Sequence, residues 1–64
     1  MNKKEYLEMR NNLLAEAEKL IAEGKTEEAK EKMKEVEDLD NKWEEIKLAQ
    51  ANMNALKDKV TGIN

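Results

Sequence analysis

Sixty-four residues allow one domain at most, with a thin core, because so short a chain buries a smaller share of its unfolded surface than larger domains do. The absence of Cys and His removes the disulfide, the zinc site and the His-based metal cluster that staple many small proteins, and leaves association with other copies as the remaining route to stability. Charged residues make up 42% of the chain, 15 acidic against 12 basic, interspersed in sign and with a single Arg. That pattern excludes a concentrated basic footprint for a phosphate backbone.

The longest apolar runs are three residues, at 13–15 and 20–22, far below the roughly 20 needed to span a bilayer, so no membrane partner is expected. The basic start Met1-Asn2-Lys3-Lys4 is not followed by a secretory apolar region, and the chain is expected to stay in the cytoplasm where it is made. The lack of Cys leaves the redox compartment open.

The pattern predicts an all-α fold: an antiparallel two-helix hairpin, or helical coiled coil, with a longer second helix and a tendency to oligomerise. All 64 residues form one assembly domain, with a helix at about 3–23, a turn at 24–26 and a helix at about 27–61. Asn2 can cap the first helix, with Glu5 at the spacing that lets its side chain reach back. Lys3 and Lys4 oppose the helix dipole, a penalty of a few tenths of a kcal/mol. Tyr6, Leu13 and Leu20 repeat every seven residues, as do Leu7, Leu14 and Ile21 beside them. Two adjacent columns make a stripe wide enough to pack on more than one neighbour.

The pattern breaks at Ala22-Glu23-Gly24-Lys25-Thr26. Gly24 can take the left-handed conformation that ends a helix, and Thr26 can cap the next, with Glu27 and Glu28 where the dipole favours acids. So short a connection permits only an antiparallel return. Facing residues then have numbers summing to about fifty: Leu20 meets the Ala29 region, Leu13 and Leu14 meet Val36, and Tyr6 and Leu7 meet Trp43, which closes the open end.

The second helix carries Ala29, Met33, Val36, Leu39, Trp43, Ile46, Met53, Leu56 and Val60 in steps of three or four, read as one face. Glu28 with Lys32 and Asp38 with Lys42 are acid-before-base pairs four apart, each contributing about 0.2 to 0.5 kcal/mol. After Lys47 the character changes. Leu48-Ala49-Gln50-Ala51-Asn52-Met53-Asn54-Ala55-Leu56 carries no charge and lies beyond the reach of the first helix. The helix should end near Val60 and Thr61, with Gly62 as its cap residue and Ile63 making the accompanying apolar contact.

No catalytic, cofactor or metal site is expected. Glu35, Glu37, Asp38, Asp40, Glu44 and Glu45 read as a solvated face: helical di-metal sites pair Glu with His, and Asp38-Leu39-Asp40-Asn41 lacks the Gly and further ligands of a calcium loop. There is no Cys or Ser nucleophile and no Gly-rich phosphate loop. Met9 and Met33 read as core fillers and Met53 as a side chain without an intramolecular partner. Trp43 reads as a cap on the hairpin that is also compatible with a binding hot spot.

With these residues in view, the chain resembles the N-terminal delta, or scaffolding, domain of tailed-phage and prophage major capsid proteins. The likeness rests on Asn2-Lys3-Lys4-Glu5-Tyr6-Leu7-Glu8-Met9-Arg10-Asn11, Leu13-Leu14-Ala15-Glu16-Ala17, the Gly24-Lys25 break, Glu35-Val36-Glu37-Asp38-Leu39-Asp40 and Ala49-Gln50-Ala51-Asn52. The resemblance implies a non-enzymatic module that directs precursor-shell (prohead) assembly. It would work in the host bacterial cytoplasm and then on the inside of the shell. Its implied partners are other copies of itself, the capsid shell domain of the same longer chain, and a maturation protease that removes it. The chain is accordingly expected to be a fragment of a longer protein.

The residues expected to carry self-association are Tyr6, Leu7, Leu14, Ile21, Trp43, Leu48, Met53, Leu56 and Val60. A stand-alone coiled-coil adaptor or designed hairpin fits the same physical features. A nucleic-acid-binding arm, like the long hairpin at the front of some tRNA synthetases, fits the shape but not the acidic balance.

Overall fold

A computed structural model describes residues 1–62, with side chains through residue 58. It contains two helices, α1 (Lys3–Ala22) and α2 (Thr26–Gly62), packed against each other as an antiparallel hairpin measuring 62 × 17 × 10 Å. With 37 residues against 20, α2 outruns α1 by several turns.

Each end of α1 has a stated cause. Asn2 sits in extended backbone ahead of the helix and its side-chain oxygen accepts the Glu5 amide at 2.8 Å. This satisfies one of the donors a helix start leaves unpaired. At the other end, the Gly24 amide donates to the Ile21 carbonyl (3.0 Å) and the Lys25 amide to the Leu20 carbonyl (2.8 Å). This pair of bonds is the Schellman arrangement, and it requires a left-handed residue, here Gly24 at φ +79°.

The turn sits one residue earlier than the sequence suggests. Helix α1 stops at Ala22, Glu23 is its C-cap, and α2 already includes Thr26, so Thr26 is the first helical residue rather than the capping position before it. The reason is the Schellman turn, which finishes at Lys25. The Lys25 carbonyl then accepts the Ala29 amide (3.0 Å) as the next helix begins. Gly62 lies within α2, and the expected apolar contact of Ile63 falls outside the described residues.

The core is thin and lies between the helices. Ala17, Ala29, Val36 and Leu39 are buried, while Leu13, Leu14, Leu20, Trp43 and Ile46 are half-buried. Ala17 and Ala29 are the most enclosed, as expected where a short turn forces two backbones close together. Met9 and Met33 are not core fillers. Both are exposed, because the seam is too narrow to cover residues beside it.

Candidate self-association surface

The register expected from a turn at Gly24 and Lys25 brings Tyr6 to Trp43, Arg10 to Asp40 and Glu16 to Lys32. The Tyr6 and Trp43 rings stack with centroids 5.0 Å apart and planes 7° from parallel, closing the open end of the hairpin. Leu7, expected to share that position, is exposed beside it.

Beneath the stack lies a polar cluster that sequence reasoning missed. The Tyr6 hydroxyl donates to Asp40 Oδ1 at 2.5 Å, Arg10 Nε donates to the same oxygen at 3.0 Å, and Arg10 Nη2 reaches Oδ2 at 3.4 Å. Asp40 is therefore not part of a solvated acidic face. Hydrogen bonds from Arg10 and Tyr6 hold its carboxyl below the ordinary value. The same hydrogen bond to Asp40 raises the Tyr6 phenol and the Arg10 guanidinium above theirs. The signal was available: Arg10 is the only Arg, and the fifty-sum register sets it against Asp40.

Nearer the turn, Lys32 reaches Glu16 on α1 (3.1 Å) and Glu35 (3.5 Å). Its ammonium is held above the usual lysine value, chiefly by the hydrogen bond to Glu16. The expected pairs of Glu28 with Lys32 and Asp38 with Lys42 do not form. Lys32 is drawn to the facing helix, and local pairs along α2 include three that are three apart: Glu27 with Lys30, Lys32 with Glu35, and Glu44 with Lys47. An open cleft of about 320 Å³ beside Lys32 is lined by Glu16, Lys19, Leu20, Glu23, Lys25 and Lys32, and most of its charges pair with one another.

Past Lys47, α2 has no α1 opposite it. Leu48 (63% exposed), Leu56 (61%) and Met53 (52%) stand in solvent. Leu7 and Ile21 of the outer α1 column are exposed as well, while Leu14 between them is half-buried. The Val60 side chain lies outside the described residues.

The overhang does not simply prolong the apolar face of the hairpin. In seven-residue steps the line of Val36 and Trp43 continues to Gln50 and Lys57, and the line of Leu39 and Ile46 to Met53. Leu48 and Leu56 fall off both lines. Gln50 Nε2 donates to Asn54 Oδ1 at 3.1 Å on the α1 side of the overhang.

Among the described residues, no group of three or more acidic, His or Cys side chains is placed to hold a metal ion, and no helix is long and apolar enough to cross a membrane. The fold is thus that of an all-helical hairpin with a free helical extension. Compared with known proteins, the chain matches no family model, no curated protein and no solved structure.

Proposed function

We propose that the chain is a non-enzymatic assembly module that joins copies of itself through the overhang of α2 and the outer column of α1. The observation that carries this reading is the overhang: Leu48, Met53 and Leu56 are exposed on a helical segment that no part of the hairpin covers. Burying such side chains contributes about 1.5 to 3 kcal/mol each, a large share of what a small domain has available. Tyr6 and Trp43 are engaged with each other, their rings stacked and half-buried at the point where the overhang leaves the hairpin, so the exposed Leu and Met side chains beyond them carry the contact.

The biological setting we assign follows the resemblance to the scaffolding domain of tailed-phage major capsid proteins. In that setting the module lies inside a precursor shell assembled in the bacterial cytoplasm, is attached to a shell-forming domain, and is discarded by a maturation protease. Weak pairwise contacts suit such a role. Assembly must be correctable, and many copies held on one shell raise the effective concentration. The acidic surface of the hairpin disfavours a nucleic-acid-binding arm.

Sedimentation equilibrium across micromolar to millimolar concentration tests the association. Dimers or higher oligomers are expected at high micromolar concentration, dissociating on dilution and weakened by Leu56→Asp or Met53→Asp. A monomer at millimolar concentration, with both substitutions silent, removes the proposal. The capsid setting has its own test in the gene: a β-rich shell domain encoded after Asn64 supports it, and an unrelated continuation removes it while leaving the association reading intact.

A further inference from the structure

Residues 48–56 read almost the same in both directions: Leu-Ala-Gln-Ala-Asn-Met-Asn-Ala-Leu. About Asn52, Leu48 mirrors Leu56, Ala49 mirrors Ala55, and the amide Gln50 mirrors the amide Asn54. From this near-palindrome and its placement on α2 we infer that two copies of the chain pair through their overhangs, antiparallel, across a two-fold axis at Asn52. The pairing surface is the side of α2 turned away from α1. The inference rests on the association reading above and specifies the geometry of its overhang contact alone; the outer column of α1 lies outside this contact.

Helical geometry places the surface. Asn52 follows Trp43 by nine residues, about two and a half turns, and so lies opposite the ring that stacks on α1. Leu48 and Leu56 are four residues to either side of Asn52 and share its face, with Ala49 and Ala55 flanking them. All five are exposed, and Leu48 and Leu56 more so than any other large apolar side chain described. An isologous contact needs a patch that complements itself when turned through a half-rotation, and about Asn52 that rotation sets apolar on apolar, Leu48 against Leu56 and Ala49 against Ala55. Gln50 and Asn54 satisfy each other on the other side of the helix, whereas the Asn52 side chain has no hydrogen-bond partner among the described residues. Across the axis two Asn52 amides meet, each offering a donor and an acceptor. One polar residue at the centre of an apolar contact sets the register of helix pairs.

Charge selects a second copy as occupant and antiparallel as its direction. Residues 48–56 carry no charge, so two identical segments can approach without repulsion. Fourteen of the chain's 15 acidic residues precede Leu48. A parallel pair would set two acid-rich hairpins side by side, while an antiparallel pair sends them to opposite ends and also opposes the two helix dipoles. Because α1 lies on the other side of α2, neither hairpin blocks the contact. The uncharged segment is nine residues, or about 14 Å, by a helix width of about 10 Å. That footprint of about 140 Å² is well below the about 800 Å² per partner of a stable interface, so the pair dissociates on dilution.

The natural chain has no Cys, so single introduced thiols report the geometry. At a helix spacing of 8–10 Å, residues on the axis have Cα atoms about 3.5 to 5.5 Å apart, within disulfide reach. Under mild oxidation at high micromolar concentration, Asn52→Cys should form a disulfide dimer at least tenfold faster than Gln50→Cys. An equimolar mixture of Ala49→Cys and Ala55→Cys should give mainly the mixed dimer. Circular dichroism checks that each variant keeps its helicity, which these exposed positions favour. Equal rates for Asn52→Cys and Gln50→Cys overturn the axis, and a preference of Ala49→Cys for itself overturns the antiparallel direction. Sedimentation of the unmodified chain separates the two readings: association with equal cross-linking rates removes only this geometry, and a monomer at millimolar concentration removes both.

Discussion

The hairpin body and the overhang are parts of one continuous helix, yet their surfaces are built differently. Before Lys47, α2 alternates acids and bases, buries Ala29, Val36 and Leu39 against α1, and is tied across by Asp40 to Arg10 and Tyr6 and by Lys32 to Glu16. After Lys47 it loses charge for nine residues and leaves its two Leu side chains more than half exposed. A solvated helix that expected only water would keep its charges and shed its Leu residues. The reverse pattern in the overhang is the feature on which the proposed self-association rests.

The largest separation between the regions should come from apolar truncation measured at low micromolar concentration, where association is absent. Leu39→Ala removes a nearly buried side chain from a thin core and is expected to lower unfolding stability by about 2 kcal/mol or more in urea titrations. Leu48→Ala should change it by no more than about 0.5 kcal/mol, since the side chain is already wet. Equal effects would break the distinction between body and overhang.

The turn comes next. Gly24 has φ +79° and nothing within 4 Å of where a Cβ would sit, so Gly24→Ala carries only the left-handed backbone penalty. A loss of about 1 to 2 kcal/mol is expected from thermal melts followed by circular dichroism. No loss at all would mean that the hairpin does not depend on this turn geometry.

A smaller effect is expected at the start of α1. Asn2→Ala deletes the acceptor of the Glu5 amide and should cost about 0.5 to 1 kcal/mol, confined to the body. Amide exchange should rise in the first turn of α1 and stay unchanged in the overhang, and a rise spread along both helices would contradict a local cap.

The pH dependence is the subtlest test. The folded Asp40 pKa is depressed, so its contribution is present above the ordinary carboxylate range and is lost as pH falls below about 4. The Tyr6 and Lys32 values are raised, so their contributions are present below about pH 10 and are lost as pH rises through the folded values. Melting temperature should therefore be flat between these limits and fall on both sides. Asp40→Asn should reduce the acid-side fall, and an unchanged acid limb in that variant would show that the half-buried cluster contributes nothing measurable.

Much of the body was legible in the sequence for reasons of short range. Asn2, Gly24 and the seven-residue columns act through neighbours within one or two turns, and the short connection leaves an antiparallel return as the sole outcome. The facing of Tyr6 and Trp43 followed from that return by counting. What was misread depended on competition between partners. Lys32 had a local acid four residues before it but is held by Glu16 across the seam, and Asp40 looked like one solvated acid among several until Arg10 and Tyr6 were placed over it.

The two helices, their order and the charge-free segment after Lys47 were determined by the sequence alone, because periodicity, capping and composition are local properties. Which acid binds which base, and which side of the overhang stays free, were decided only by the packed pair. Both depend on the rotation of one helix against the other, and that rotation is set by the few buried contacts of Ala17, Ala29, Val36 and Leu39, which no local pattern specifies.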